Sequence, residues 1–263
     1  IEESQFFAPS SIENRYVEAV HCGNYLQRLR KLEMTKKEQR VSGFVHNKTL
    51  IQREWTIMEG TRKAAELAMT TNICFNIAGG THHAFSDRGE GFCLLNDQVI
   101  AAQWLLDNKL VSNVLIIDLD VHQGNGSAAL CANSSHIYTF SMHGKNNYPL
   151  HKQRSDIDIE LDDGTKDMTY LNELKMGLER IMKHFEPSFI FYQAGVDVLE
   201  SDKLGRLGLS LKGCKERDAI VFDFSRQIEV PIVTTMGGGY SKEINTIVEA
   251  HANTYRCGYD IRG

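Results

Sequence analysis

Asp118, Asp120 and His122 occupy alternate positions at the end of an apolar run, Asn113-Val114-Leu115-Ile116-Ile117-Asp118-Leu119-Asp120-Val121-His122. Side chains in a strand alternate between its two faces, so these three project the same way. Carboxylates in a burial-prone strand need something to satisfy them. A divalent metal meets that need, because carboxylate oxygen and imidazole nitrogen are ordinary zinc ligands. The glycines of Gly124-Asn125-Gly126, which follow directly, let backbone approach such a site closely.

Other chemistry-bearing residues follow other apolar runs. Asp197 comes after Phe189-Ile190-Phe191-Tyr192-Gln193-Ala194-Gly195-Val196. Alone, it could cap the next helix. Joined to Asp120 and His122, it makes a three-ligand set with an open position, the arrangement of catalytic rather than structural zinc. His82 and His83 follow Gly79-Gly80-Thr81 and could be two unrelated loop histidines. Beside a metal they read as a general base and an electrostatic partner, with Asp118 the carboxylate that fixes the tautomer of one of them. Tyr240 closes the run Gly237-Gly238-Gly239, either a plain flexible turn or a phenol brought to the metal to hydrogen-bond an oxyanion. Phe92, between Gly91 and Cys93, could be a core residue, but an aromatic in a polar, Gly-rich loop more often forms the wall of a slot. Cys93 reads as a small buried thiol rather than a nucleophile.

These residues need elements to position them. Nearly continuous apolar or β-branched runs predict strands at Ile73–Ala78, Val114–Leu119, Ile137–Ser141, Phe189–Gln193 and Pro231–Met236. Apolar residues at spacings of three and four predict helices over Ile12–Leu32, Leu50–Met69, Leu95–Asn108, Lys166–His184 and Leu211–Gln227. The charge-rich Lys31–Arg40 stretch predicts a solvated helix end or loop. Alternating strand and helix predicts an α/β fold, an open, mostly parallel sheet with helices on both faces in three layers. In such sheets ligands bind beyond the carboxyl ends of the strands. Four of the runs deliver His82, His83, Asp120, His122, Asp197 and Tyr240 to that edge.

The 263 residues suffice for one α/β domain with a full core. A net charge of −5 with no Lys/Arg block argues against direct nucleic-acid binding. No apolar run reaches bilayer-spanning length, and no signal peptide is visible. The six cysteines include no C-x-x-C pair, which predicts reduced thiols and a cytoplasmic location. Oligomeric state leaves no mark on the sequence.

Taken in order, Gly79-Gly80-Thr81-His82-His83, Gly91-Phe92-Cys93, Asp118-Leu119-Asp120-Val121-His122, Gly195-Val196-Asp197 and Gly237-Gly238-Gly239-Tyr240 resemble the motifs of the histone deacetylase family. The matching sequence runs from about residue 10 to about residue 257. Two details resemble its class IV branch and bacterial relatives: His122-Gln123-Gly124-Asn125, and the run from Asp202 to Ser210. The resemblance implies an arginase/deacetylase-like fold whose N-terminal strand and loop would precede residue 1. It implies one zinc ion on Asp120, His122 and Asp197, with His82 and His83 as the tandem histidines and Tyr240 as the carbonyl-polarising phenol. Gly91, Phe92 and Tyr148 would wall an acyl-lysine tunnel, with Leu204 at its rim. A structural potassium ion would lie on Asp118, the Ser141 hydroxyl and the carbonyls of Asp120, His122 and Met142. Asn125 stands where many members carry Asp. An Asn oxygen there could still accept a hydrogen bond from His83 but brings no negative charge, so it would stabilise imidazolium less.

The activity implied is zinc-dependent hydrolysis of N-acyl-lysine in a protein or peptide, or of a related acylated amine. An acetylpolyamine amidohydrolase is the alternative of the same chemistry. An arginase-like ureohydrolase would need further carboxylates where Gly124 and Leu199 stand. A non-catalytic acyl-lysine reader would not need the full catalytic set.

Overall fold

The computed structural model describes residues 2–260. Its strands are β1 (Ile73–Asn76), β2 (Val114–Asp118), β3 (Ile137–Gly144), β4 (Ile157–Leu161), β5 (Phe189–Gln193) and β6 (Ile232–Thr235). They form one sheet in the order β1-β6-β5-β2-β3-β4, and every pairing is parallel. In β2 and β5 all residues are buried, as continuous apolar runs covered on both faces require.

The period of two divides each strand between two cores. Leu115, Ile117, Ile190, Tyr192 and Ile232 face one cluster, packed by α7 (Asp167–Met182), α8 (Leu211–Gln227) and α9 (Ile244–Asp260). Val114, Ile116, Phe189, Phe191 and Val233 face the other, packed by α4 (Lys48–Thr71), α5 (Asp97–Asp107) and α6 (Asn125–Cys131). The result is the expected three-layer α/β architecture. Each fully buried aliphatic side chain adds roughly 2 kcal/mol over exposure, so the two faces together hold the sheet rigid beneath its loops.

A third cluster lies outside α4. There α1 (Asn14–Glu18) and α2 (Gly23–Lys31) pack Val17, Tyr25, Leu26 and Leu29 against Trp55, Met58, Leu94 and Leu95. The single helix expected over Ile12–Leu32 is thus two. His21 separates them, because its buried ring bridges the Phe85 carbonyl (2.9 Å) and the Asn96 N–H (3.0 Å) and draws the chain inward. Leu32, at φ 60°, ends α2, and a reciprocal Thr35–Glu38 capping box starts α3 (Lys36–Ser42) within the stretch expected to be a solvated end or loop. A short 3-10 helix (Glu3–Gln5), α6, β4 and α9 also lie outside the expected set; β4 is an edge strand with Glu160 exposed, and α9 covers the face of β1 and β6. Among the described residues no helix is long and apolar enough to cross a membrane.

β1, β6, β5 and β2 are adjacent, and the loops leaving their carboxyl ends are therefore neighbours. Those loops carry His82 and His83, Tyr240, Asp197, and Asp120 with His122, in that order.

Candidate active site

Asp120, His122 and Asp197 each direct one ligand atom to a common point, all within 4.8 Å of one another. His122 Nδ1 lies 3.1 Å from Asp120 Oδ1 and 3.2 Å from Asp197 Oδ2. The backbone N–H of Val121 donates to Asp197 Oδ1 (3.0 Å), and that of Gly238 donates to Asp120 Oδ2 (2.9 Å). A Cβ at residue 238 would overlap Asp197 Oδ2, so glycine is what lets this backbone reach the carboxylates. Asp197 Oδ2 is buried and makes no hydrogen bond of good geometry; what faces it is the His122 ring, itself a candidate metal ligand. An orphaned buried carboxylate oxygen is costly unless a cation completes it. The oxygen, nitrogen, oxygen donor set and the orphaned atom therefore fit a divalent metal such as zinc. Burial raises the Asp197 carboxyl to about 6, helped by the charge of Asp120. Burial opposes the His122 imidazolium, but the two carboxylates outweigh it and hold the ring up to about 10. Both shifts report a point of concentrated negative potential.

The tandem histidines stand beside this point, with ring centroids 4.0 Å apart and both rings buried. His82 Nδ1 meets Asp118 Oδ2 at 2.7 Å, and His83 Nδ1 meets Asn125 Oδ1 at 2.6 Å. Burial works against the His82 imidazolium, yet Asp118 and Asp120 overcome it and hold the ring up to about 9. His83 is driven well below the ordinary histidine range by burial, then by the charge of His82. Two adjacent imidazoles are thus tuned apart, one toward the cation and one toward the neutral ring.

Tyr240 is tied through its backbone N–H to Asp202 Oδ2 (2.6 Å). Burial, then the charges of Asp120 and Asp197, push its phenol up, so it stays a proton donor. The Phe92 ring lies 6.4 Å from that of Tyr240, and Tyr148 stands beside His83. Both are partly exposed, and the Tyr148 ring stands edge-on to His83 at 5.0 Å. Gly91 (φ 51°) and Phe92 (φ 65°) form a tight turn before Cys93, whose thiol burial pushes well up and away from nucleophilic use. Half-exposed Leu204 follows Asp202, which caps its loop by accepting from Leu204 and Gly205 N–H, both at 2.8 Å. Pairing of β2 with β3 sets Asp118 level with Ser141 and next to Met142, and the Ser141 hydroxyl engages His143 Nδ1 at 2.9 Å.

Several residues that serve this edge carry no sequence signal of their own. Asp97, wholly buried at the start of α5, accepts from Gly80 N–H (3.0 Å), Thr81 N–H (2.8 Å), the Thr81 hydroxyl (2.8 Å) and the Thr61 hydroxyl (2.6 Å). It pins the turn that presents the histidines. Arg217, buried in α8, donates to the carbonyls of Gly195 (2.6 Å) and Leu119 (3.3 Å) and so ties together the strand ends that bear Asp197 and Asp120. Asn96, preceding Asp97, is a visible N-cap for α5, but a lone Arg in a helix reads as solvent-facing.

The family model for the histone deacetylase domain matches residues 1–255. An uncharacterized protein of Picosynechococcus sp. is 37% identical over 261 residues, covering 99% of this chain and 87% of that protein. Histone deacetylase 2 of Arabidopsis thaliana is 31% identical over 257 residues, covering 94% of this chain and 66% of that protein. The crystal structure of an HDAC homolog from Aquifex aeolicus superposes with a TM-score of 0.85 at 22% identity, over 98% of this chain and 74% of that one, a likeness of fold. A match along nearly the whole length, on a sheet whose loops gather these side chains at one edge, establishes that the chain belongs to the histone deacetylase family.

Proposed function

We propose that the chain hydrolyses the amide of N-acyl-lysine in proteins or peptides, or of a closely related acylated amine, with one zinc ion held by Asp120, His122 and Asp197. The observation that carries this reading is the oppositely tuned His82–His83 pair set beside a metal-competent triad with an orphaned carboxylate oxygen. Zinc, when bound, would supply Lewis-acid polarisation of the acyl carbonyl and ease deprotonation of water. Neutral His83 takes the proton of the attacking water at Nε2 and returns it to the leaving amine. His82, held cationic by Asp118, stabilises the negative charge that develops. The Tyr240 hydroxyl donates to the oxyanion. Gly91, Phe92, Tyr148 and Leu204 would line the path of the straight alkyl stem of lysine, a reading supported by the exposed apolar side chains of Phe92 and Leu204. Asn125 in place of a carboxylate supports a class IV-like assignment. The level pairing of Asp118 with Ser141 supports a structural potassium site, which replacing potassium by choline would expose as a loss of thermal stability.

Nothing favours the ureohydrolase reading. A Cβ at Gly124 would overlap Asp118 Oδ2, so that position has no room for the carboxylate a second metal requires, and Leu199 is buried and apolar. The deciding experiment is a panel of acetyl-lysine and longer acyl-lysine peptides and acetylated polyamines at defined zinc occupancy. Turnover of acyl-lysine peptides is expected. Turnover of polyamines alone would reassign the substrate, and a zinc-loaded protein inert on the whole panel would indicate a reader.

A further inference from the structure

Glu90 lies between Gly89 and Gly91 in the loop before α5, and no step above uses it. Its side chain is largely buried, at 16% exposure, and three donors converge on it. Arg88 Nε reaches Oε1 at 2.7 Å, and the Tyr148 hydroxyl reaches Oε2 at 2.8 Å. The Asn125 amide Nδ2 reaches the same Oε2 at 3.4 Å. The other end of that amide, Oδ1, stands 2.6 Å from His83 Nδ1. His83, Asn125 and Glu90 therefore form one chain.

An amide side chain has a donor end and an acceptor end, and by itself either could face His83. A carboxylate only accepts. Facing Glu90, Asn125 must turn its NH2 outward and its oxygen toward His83. His83 must then carry its proton on Nδ1, which leaves Nε2 with the lone pair a base needs. The reverse orientation would set the Asn125 oxygen against the Glu90 oxygens. It would also offer an N–H to His83 Nδ1 and so favour the tautomer that cannot accept a proton at Nε2.

We propose that Glu90 is a positioning residue that, through the Asn125 amide, sets the tautomer of His83 and places one step away the carboxylate that Asn125 itself lacks. The catalytic consequence rests on the deacylase reading above, while the tautomer does not. Tyr148 shares the same oxygen, so the tunnel wall and the support of the base have a common anchor.

The test combines nitrogen-15 NMR of labelled histidine in the zinc-loaded protein with steady-state kinetics on an acyl-lysine peptide. Wild-type His83 is expected as a single Nδ1–H tautomer. Glu90→Gln, which keeps the shape but offers either amide end to Asn125, is expected to give a mixture of tautomers, with kcat down by about tenfold and zinc content unchanged. Asn125→Asp alone sets two carboxylates against each other and is expected to be impaired. Asn125→Asp with Glu90→Gln moves the charge next to His83 and is expected to recover most of the wild-type kcat, a rescue that loss of packing would not show. A single Nδ1–H tautomer in Glu90→Gln with unchanged kcat would overturn the proposal. So would a double variant no better than Asn125→Asp alone. Wild-type protein that turns over no acyl substrate, together with a His83 tautomer that changes in Glu90→Gln, would sink the deacylase reading and leave the positioning role standing.

Discussion

The carboxylate of Asp118 approaches His82 Nδ1 to 2.7 Å where both side chains are almost wholly removed from water. A charge-assisted pair in such a place is strong, because little solvent screens it. Asp118 also accepts the Asp120 N–H through its other oxygen at 3.2 Å, so one side chain serves a histidine and the backbone of a metal-competent residue.

Asp118→Asn should therefore weaken the His82 imidazolium. The ring is held up to about 9 against burial chiefly by Asp118, so its protonated form persists through neutrality and is lost as pH rises past that value. Without the Asp118 charge that loss comes at lower pH. The alkaline limb of kcat/KM should move toward acid, and kcat at neutral pH should fall by about tenfold or more. A variant with an unmoved alkaline limb would show that Asp118 does not govern His82.

Tyr240 should act only when charge develops on the substrate oxygen. Its phenol, pushed up by burial and by Asp120 and Asp197, keeps its proton across the working pH range. Tyr240→Phe removes one oxyanion donor, worth about 3 kcal/mol, or roughly a hundredfold in kcat. Zinc content, measured by elemental analysis, should match wild type. Undiminished turnover in a fully loaded Tyr240→Phe protein would remove the residue from the mechanism.

Much of this edge is legible in sequence, for a physical reason. Carboxylates and histidines are expensive to bury, so Asp118, Asp120, His122 and Asp197 stand out against the apolar strands that end beside them. The parallel sheet is equally legible, because strands buried on both faces lose their alternation and become continuous runs. β4 escapes the eye because it is an edge strand with polar residues at alternate places, Ile157-Asp158-Ile159-Glu160-Leu161. His21 escapes because nothing in its own neighbourhood predicts partners 64 and 75 residues away. Asp97, and Glu90 through Oε2, meet partners from distant segments, and residue type alone does not reveal that.

The triad should hold one zinc ion per chain. Loss of an outer hydrogen-bond partner costs metal sites about 10–100-fold in affinity, so loss of a ligand in Asp197→Asn should cost at least that. Chelation should lower the Tm of wild type by removing a ligand of the folded state, and readdition of one equivalent should restore it. The same chelator should barely move the Tm of Asp197→Asn. A stoichiometry of two metals per chain would revive the ureohydrolase reading despite Gly124.

His21 should make the fold acid-sensitive. The Asn96 N–H donates to Nε2 at 3.0 Å, so that nitrogen must be unprotonated, and Nδ1–H must then donate to the Phe85 carbonyl at 2.9 Å. Both bonds require the neutral ring. Burial lowers its pKa from the ordinary 6.5 to about 4. Between those values the unfolded chain binds the proton and the folded chain does not. Stability is therefore complete above 6.5 and declines as pH falls toward 4, by an amount on the order of 3 kcal/mol. Because Phe85 and Asn96 flank the loop of His82 and His83, acid should loosen the active site with α1 and α2. His21→Gln keeps a side chain able to donate and accept but removes the titration. It should start with a lower Tm at pH 7.5 and lose less of it by about pH 4.5 than wild type does. Parallel Tm curves for the two proteins would assign the acid sensitivity to other groups.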